Sequence, residues 1–86
     1  MAHSSQEILF KVFGNEERVK MICCLEKKQS VTKLLEKCRL SQSAVSQHLS
    51  VLKEAKIIDC ERLGKQQFYF VVNKKALKIA KDLLRC

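Results

Sequence analysis

Apolar residues recur along this chain at two different periods, and the change from one to the other divides it. In "SSQEILFKVFG", Ile8, Leu9, Val12 and Phe13 fall at helical spacing behind a serine cap candidate, and Gly14 ends the run. "NEERVKMICCLEKK" opens on Asn15 as a cap, carries Glu16 and Glu17 in its first turn and closes on Lys27 and Lys28. That order of charge suits both ends of a helix dipole and predicts a second helix. "SVTKLLEKC" predicts a short third helix capped by Ser30, and "RL" makes a tight connection out of it. Ser41 then caps a fourth helix that runs to about Lys56, with Leu40 and Val45 spaced as a hydrophobic staple.

Beyond Lys56 the helical period is lost. "IIDCERLGKQQFYFVV" is rich in β-branched and aromatic residues and breaks once, at Gly64 and Lys65, which predicts a β-hairpin. Phe68, Phe70 and Val72 alternate with Tyr69 and Val71, so one face of the hairpin should pack on the rest of the protein, with the aromatics serving the core. "NKKALKIAKDLLRC" returns to helix behind Asn73, with Ala76, Leu77, Ile79, Ala80, Leu83 and Leu84 apolar. The expected order is α-α-α-α-β-β-α: mainly α with a β-hairpin wing. With no proline and only two glycines, little interrupts the helices.

Two short helices joined tightly and followed by a hairpin describe a winged helix-turn-helix, whose second helix enters the DNA major groove. On a helical wheel Gln42, Ser43, Ser46, Gln47, Ser50 and Lys53 share an arc of roughly 140°. Ala44, Val45, Leu49, Val51, Leu52 and Ala55 fill the opposite side. The polar side chains are short near the start of the helix, where close approach to bases is needed. Glutamine can pair with adenine, serine can bond a base edge or a phosphate, and the free N–H groups at Ser41 to Ser43 can hold a phosphate. An ordinary solvent-facing helix would carry more Glu and Lys. His48 falls in the apolar arc. Packing, with a hydrogen bond to neighbouring backbone, is its expected role, and direct DNA contact is the alternative. In the hairpin, Arg62 and Lys65 sit near the tip beside Gln66 and Gln67, suited to phosphates or the minor groove.

Composition agrees with a nucleic-acid partner. The formal charge of +8 over 86 residues points to a polyanion. The length implies one domain, 1–86, with a small core that gains from a partner subunit. No apolar run can span a bilayer, and "MAHSSQEILF" lacks the marks of a secretion signal, so a cytoplasmic location is expected. The five cysteines, Cys23, Cys24, Cys38, Cys60 and Cys86, are odd in number and irregularly spaced, which argues against a disulfide scaffold. With no Cys-x-x-Cys pair and only His3 and His48 as histidines, no structural metal site and no cofactor is expected. Paired carboxylates, a Cys-His nucleophile arrangement and a phosphate loop are all missing, so an enzyme is not expected.

The runs "FGNEERVKMICCL", "SVTKLLEKCRLSQSAVSQHLSVLKEAKII" and "RLGKQQFYFV" resemble the ArsR/SmtB family of transcriptional repressors across about residues 8 to 84. The resemblance implies a homodimer built on the first and last helices, bound to an operator of two-fold symmetry and released by an inducer. Ile8, Leu9, Val12, Phe13, Leu77, Ala80 and Leu84 would form the dimer seam. The family usually has glycine where this chain has Lys56, which implies a left-handed residue there at some cost. Its thiophilic metal ligands correspond to Ser30 and Thr32, and its zinc site in the last helix is reduced to Asp82, so neither is expected. The cysteines resemble instead the BigR-like subgroup, which responds to sulfide and oxidation through one cysteine in the second helix and one near the end of the last. Cys23 and Cys86 match those places. Cys24 rivals Cys23 because Lys20, Lys27 and Lys28 lie nearer to it and would favour a thiolate. Cys38 and Cys60 are expected to be small apolar fillers. Two alternatives remain at this stage: a winged helix that binds protein, and a metal-responsive repressor with cysteine ligands.

Overall fold

The computed structural model describes residues 11–84. Ile8, Leu9 and Cys86 therefore lie outside the described residues. Residues 11–13 are helical and turn at Gly14. There follow α1 (Glu16–Cys24), β1 (Gln29–Ser30), α2 (Val31–Cys38), α3 (Gln42–Glu54), β2 (Ile58–Leu63), β3 (Gln66–Val71) and α4 (Lys74–Leu84).

The starts of α1 to α4 follow the same chemistry. The Asn15 side chain accepts from Arg18 N at 3.2 Å, Ser30 from Lys33 N at 3.2 Å, Ser41 from Ala44 N at 3.1 Å and Asn73 from Ala76 N at 3.1 Å. Each bond satisfies an amide that would otherwise lack a partner in the first turn. The ends depart more from expectation. α1 stops at Cys24, with Leu25 N–H returning to the carbonyls of Met21 and Ile22. Lys27 and Lys28 are thus beyond the helix and do not cap its dipole. Lys28 instead pairs with Glu61 of β2 and lies 5.4 Å from the Phe70 ring centroid. α3 ends at Glu54, and Lys56 takes φ 60°, the left-handed geometry expected of a glycine site. Arg39, between α2 and α3, is also left-handed at φ 54°.

The hairpin turns at Gly64, whose φ of +65° at the first of two turn residues fits a type II′ turn. Among the described residues the sheet has three strands, not two. β1 adds antiparallel to β3 with Gln29 opposite Tyr69 and Ser30 opposite Phe68, giving the order β1-β3-β2. A two-residue strand has no sequence period, so the hairpin signal could not reveal it.

The core collects Val19, Met21 and Ile22 of α1, Leu25, Leu34 of α2, Val45, Leu49 and Leu52 of α3, Ile57, Ile58, Val71 and the inner face of α4. Of the hairpin's two faces, Tyr69 and Val71 pack inward. Phe68 and Phe70 are only half-buried and Val72 is exposed, so the aromatics serve the core less than expected.

On α4 the apolar stripe is divided. Leu77 and Ala80 are buried against their own chain, as is Val12. Phe13 and Leu84 are half-buried. Ile79 and Leu83 remain 43% and 58% exposed. Among the described residues no helix is long and apolar enough to cross a membrane.

Candidate nucleic-acid interface

α3 rests on Val45, Leu49 and Leu52, and this alone fixes what it shows to solvent. Ser41, Gln42, Ser43, Ser46, Gln47, Ser50 and Lys53 are all exposed on the other side. Ala44, Val51 and Ala55 lie at the margins. Apart from His48, no acidic or basic side chain occurs from Ser41 to Leu52. The surface presented is neutral, hydrogen-bonding and low in profile. Side chains of that kind can approach base edges without stranding a charge. The α2–α3 pair, joined through Arg39, has the arrangement of a helix-turn-helix.

The wing stands beside this helix and is tied to it. Lys53 Nζ donates to Cys60 Sγ of β2 at 3.2 Å, and Gln67 Nε2 of β3 donates to the same sulfur at 3.2 Å. The hydrogen bond to Cys60, helped by charge, holds the Lys53 ammonium above its usual range. Burial, then Cys60, raises the Tyr69 hydroxyl nearby. Cys60 is thus the junction between helix and wing rather than an apolar filler. At the tip, Arg62 and Lys65 are exposed, with Arg62 Nε donating to the Gly64 carbonyl at 3.4 Å.

His48 is half-buried, but the expected backbone hydrogen bond does not form. Its Nδ1 is buried without a hydrogen-bond partner among the described residues. Burial, and then the Arg18 charge, hold the imidazole below its usual pKa, with Glu17 opposing weakly. The ring is therefore neutral at pH 7.

Three other cysteines gather on α1 and α2. Cys23, Cys24 and Cys38 line one open cavity of about 380 Å³ with Glu17, Lys20, Lys37 and Leu84. Cys38 packs against the core as the filler expected, and it also lines this cavity beside Cys23 and Cys24. Burial pushes its thiol up, and the neighbouring Cys24 thiol adds to this. Two of the lysines expected near Cys24 have carboxylate partners. Lys20 pairs with Glu16 at 3.4 Å and Glu17 at 3.8 Å, and Lys28 with Glu61. Among the described residues no three His, Cys, Asp or Glu side chains are grouped to hold a metal ion.

Residues 15–59, more than half of the chain, match the model of the bacterial regulatory protein, arsR family. The chain belongs to the ArsR family. It is 36% identical over 77 residues to the biofilm growth-associated repressor of Agrobacterium fabrum, covering 88% of this chain and 66% of that protein. It is 31% identical over 75 residues to an uncharacterized HTH-type transcriptional regulator, MJ1325, of Methanocaldococcus jannaschii, covering 85% and 84%. In structure it resembles the transcriptional repressor BigR of Xylella fastidiosa, with a TM-score of 0.82 and 32% identity over 90% of this chain and 80% of that one. The ArsR-family chain is accordingly a transcriptional regulator with a winged helix-turn-helix, and its relatives fit the BigR-like subgroup. Members of this family are DNA-binding transcriptional regulators.

Sequence reasoning missed one polar residue beside the interface. Arg18 of α1 lines an open cleft with Asn15 and with Ser46, Gln47, His48, Ser50 and Val51 of α3. Its signal in the sequence is Gly14-Asn15-Glu16-Glu17-Arg18, within the run "FGNEERVKMICCL" that carries the family resemblance.

Proposed function

We propose that this protein is a repressor that binds an operator of two-fold symmetry as a homodimer and is released by oxidation or persulfidation of its thiols. The observation that carries the DNA reading is the exposed, uncharged face of α3. In this reading Gln42, Ser43, Ser46, Gln47 and Ser50 meet base edges in the major groove. Ser41 and the first amides of α3 face a phosphate. Arg62 and Lys65 grip backbone from the wing, and Lys53 braces the wing against the helix through Cys60. Repression then follows from occupancy of a promoter. His48 packs and does not read bases.

The dimer proposal rests on Ile79, Leu83 and the half-buried Leu84, an apolar strip that a small protein gains by covering. The release proposal rests on the cavity shared by Cys23, Cys24 and Cys38. Two cysteines that approach there can be joined when a peroxide accepts their two electrons and two protons, or can take up sulfane sulfur from a persulfide donor. Cys86, two residues beyond Leu84, remains the family-like partner for Cys23.

The DNA reading is tested by selection from a random duplex library, followed by a gel shift of the selected and scrambled duplexes over a salt series. Selection should recover an inverted repeat bound at least 10³ times more tightly than the scrambled duplex, as specific regulators do. A protein-interaction module would enrich no repeat and show no steep salt dependence.

A further inference from the structure

We propose that the cleft between α1 and α3 holds a backbone phosphate of the bound DNA, with Arg18 as its charged anchor and Ser50 as a hydrogen-bonding wall. The inference rests on the DNA-binding reading and assigns one point of contact within it. It also moves Ser50 from base reading to backbone contact.

The cleft has a volume of about 550 Å³ and opens on the same side as the polar face of α3. Ser46, Gln47 and Ser50 belong to both. A helix about 10–12 Å across fills a major groove about 12 Å wide, so its flanks lie against the sugar-phosphate walls. A group set back from the front of α3, on the neighbouring helix, therefore meets backbone and not bases. Arg18 is in that position.

The chemistry of Arg18 points the same way. Its side chain is half-buried, yet no carboxylate pairs with it among the described residues. Nη2 donates to the Lys11 carbonyl at 2.6 Å, and Nε is buried with no hydrogen-bond partner among the described residues. A half-buried cation with donors left over is costly unless an anion compensates it. Met or Lys would pack there at less cost if shape were all that mattered. A guanidinium presents a fork that fits two oxygens of one phosphate. His48 only borders the cleft with its ring, since its Nδ1 is buried. Asn15 serves differently. Its Oδ1 accepts from Arg18 N and caps α1, which fixes where the Arg18 side chain begins.

The test uses the full chain with two duplexes, one selected from a random library and one scrambled, over a salt series. Arg18→Gln should weaken both duplexes by a similar factor, about tenfold, and reduce the salt slope by about 1 for each protomer bound. Arg18→Lys keeps the charge and should restore the slope, while regaining only part of the affinity because the fork is gone. Ser50→Ala, an exposed site that leaves the fold intact, should weaken both duplexes alike by a few-fold and stands in if Arg18→Gln proves unfolded by circular dichroism. The proposal is overturned if Arg18→Gln leaves the slope unchanged in a folded protein, or if Ser50→Ala weakens only the selected duplex. If the unmodified protein binds neither duplex in a salt-dependent way, the DNA reading itself fails, whatever the variants do.

Discussion

Replacing Ile79 and Leu83 by glutamine removes the apolar strip that α4 leaves uncovered, and so tests the proposed dimer without touching the core. The two side chains are 43% and 58% exposed, which together amounts to about one whole aliphatic side chain per protomer. Burying one such side chain contributes about 2 kcal/mol. A two-fold interface counts it twice, or about 4 kcal/mol, which is roughly a thousandfold in the dimer Kd. Leu77 and Ala80 sit on the other side of α4 and are buried, so they should stay out of this balance. Sedimentation equilibrium over a range of protein concentrations measures the change. The double variant should be a monomer where the unmodified protein is a dimer, with an unchanged helical circular dichroism spectrum. Unchanged association in the folded variant would refute the assignment of this strip to the seam.

Other outcomes follow from the caps and the buried histidine. Ser41→Ala removes the bond to Ala44 N and should cost about 1 kcal/mol, read as a fall of roughly 5 °C in Tm. The folded state holds His48 neutral, mainly through burial and then Arg18, with Glu17 opposing. Its stabilising effect is therefore full above the ordinary imidazole pKa and is lost as pH falls below it. Urea midpoints at about pH 7.5 and 5.5 should differ, and His48→Gln should reduce the difference. Peptide mapping after mild peroxide should place the first disulfide among Cys23, Cys24, Cys38 and Cys86, with Cys60 outside it. A link to Cys60, or thiols that remain unmodified while DNA binding falls, would count against thiol release through that cavity.

The features that were legible in the sequence are the local ones. Asn15, Ser30, Ser41 and Asn73 each cap a helix through a bond to the amide three residues on, so residue type and position suffice to find them. Gly64 could be found for a similar reason, whereas the left-handed Lys56 was legible only through the resemblance to a family with glycine there. The polar face of α3 was visible because a helical wheel needs only periodicity. What failed depended on distant partners. β1 exists because β3 accepts it, and two residues carry no pattern of their own. The apolar residues of α4 wrap too far around the helix for periodicity to separate the inward Leu77 and Ala80 from the outward Ile79 and Leu83. Cys38 joins Cys23 and Cys24 only through the packing of α2 on α1, and Arg18 reaches the flank of α3 only through the start of α1.

The central claim is that the uncharged face of α3 reads sequence, and Gln47→Ala tests it most directly. Gln47 is exposed, so its loss should leave the fold intact. Binding to the selected duplex should weaken by about 1–3 kcal/mol, roughly ten- to a hundredfold, while binding to a scrambled duplex at the same salt stays nearly unchanged. Equal losses on both duplexes, or no loss on either, would contradict the account.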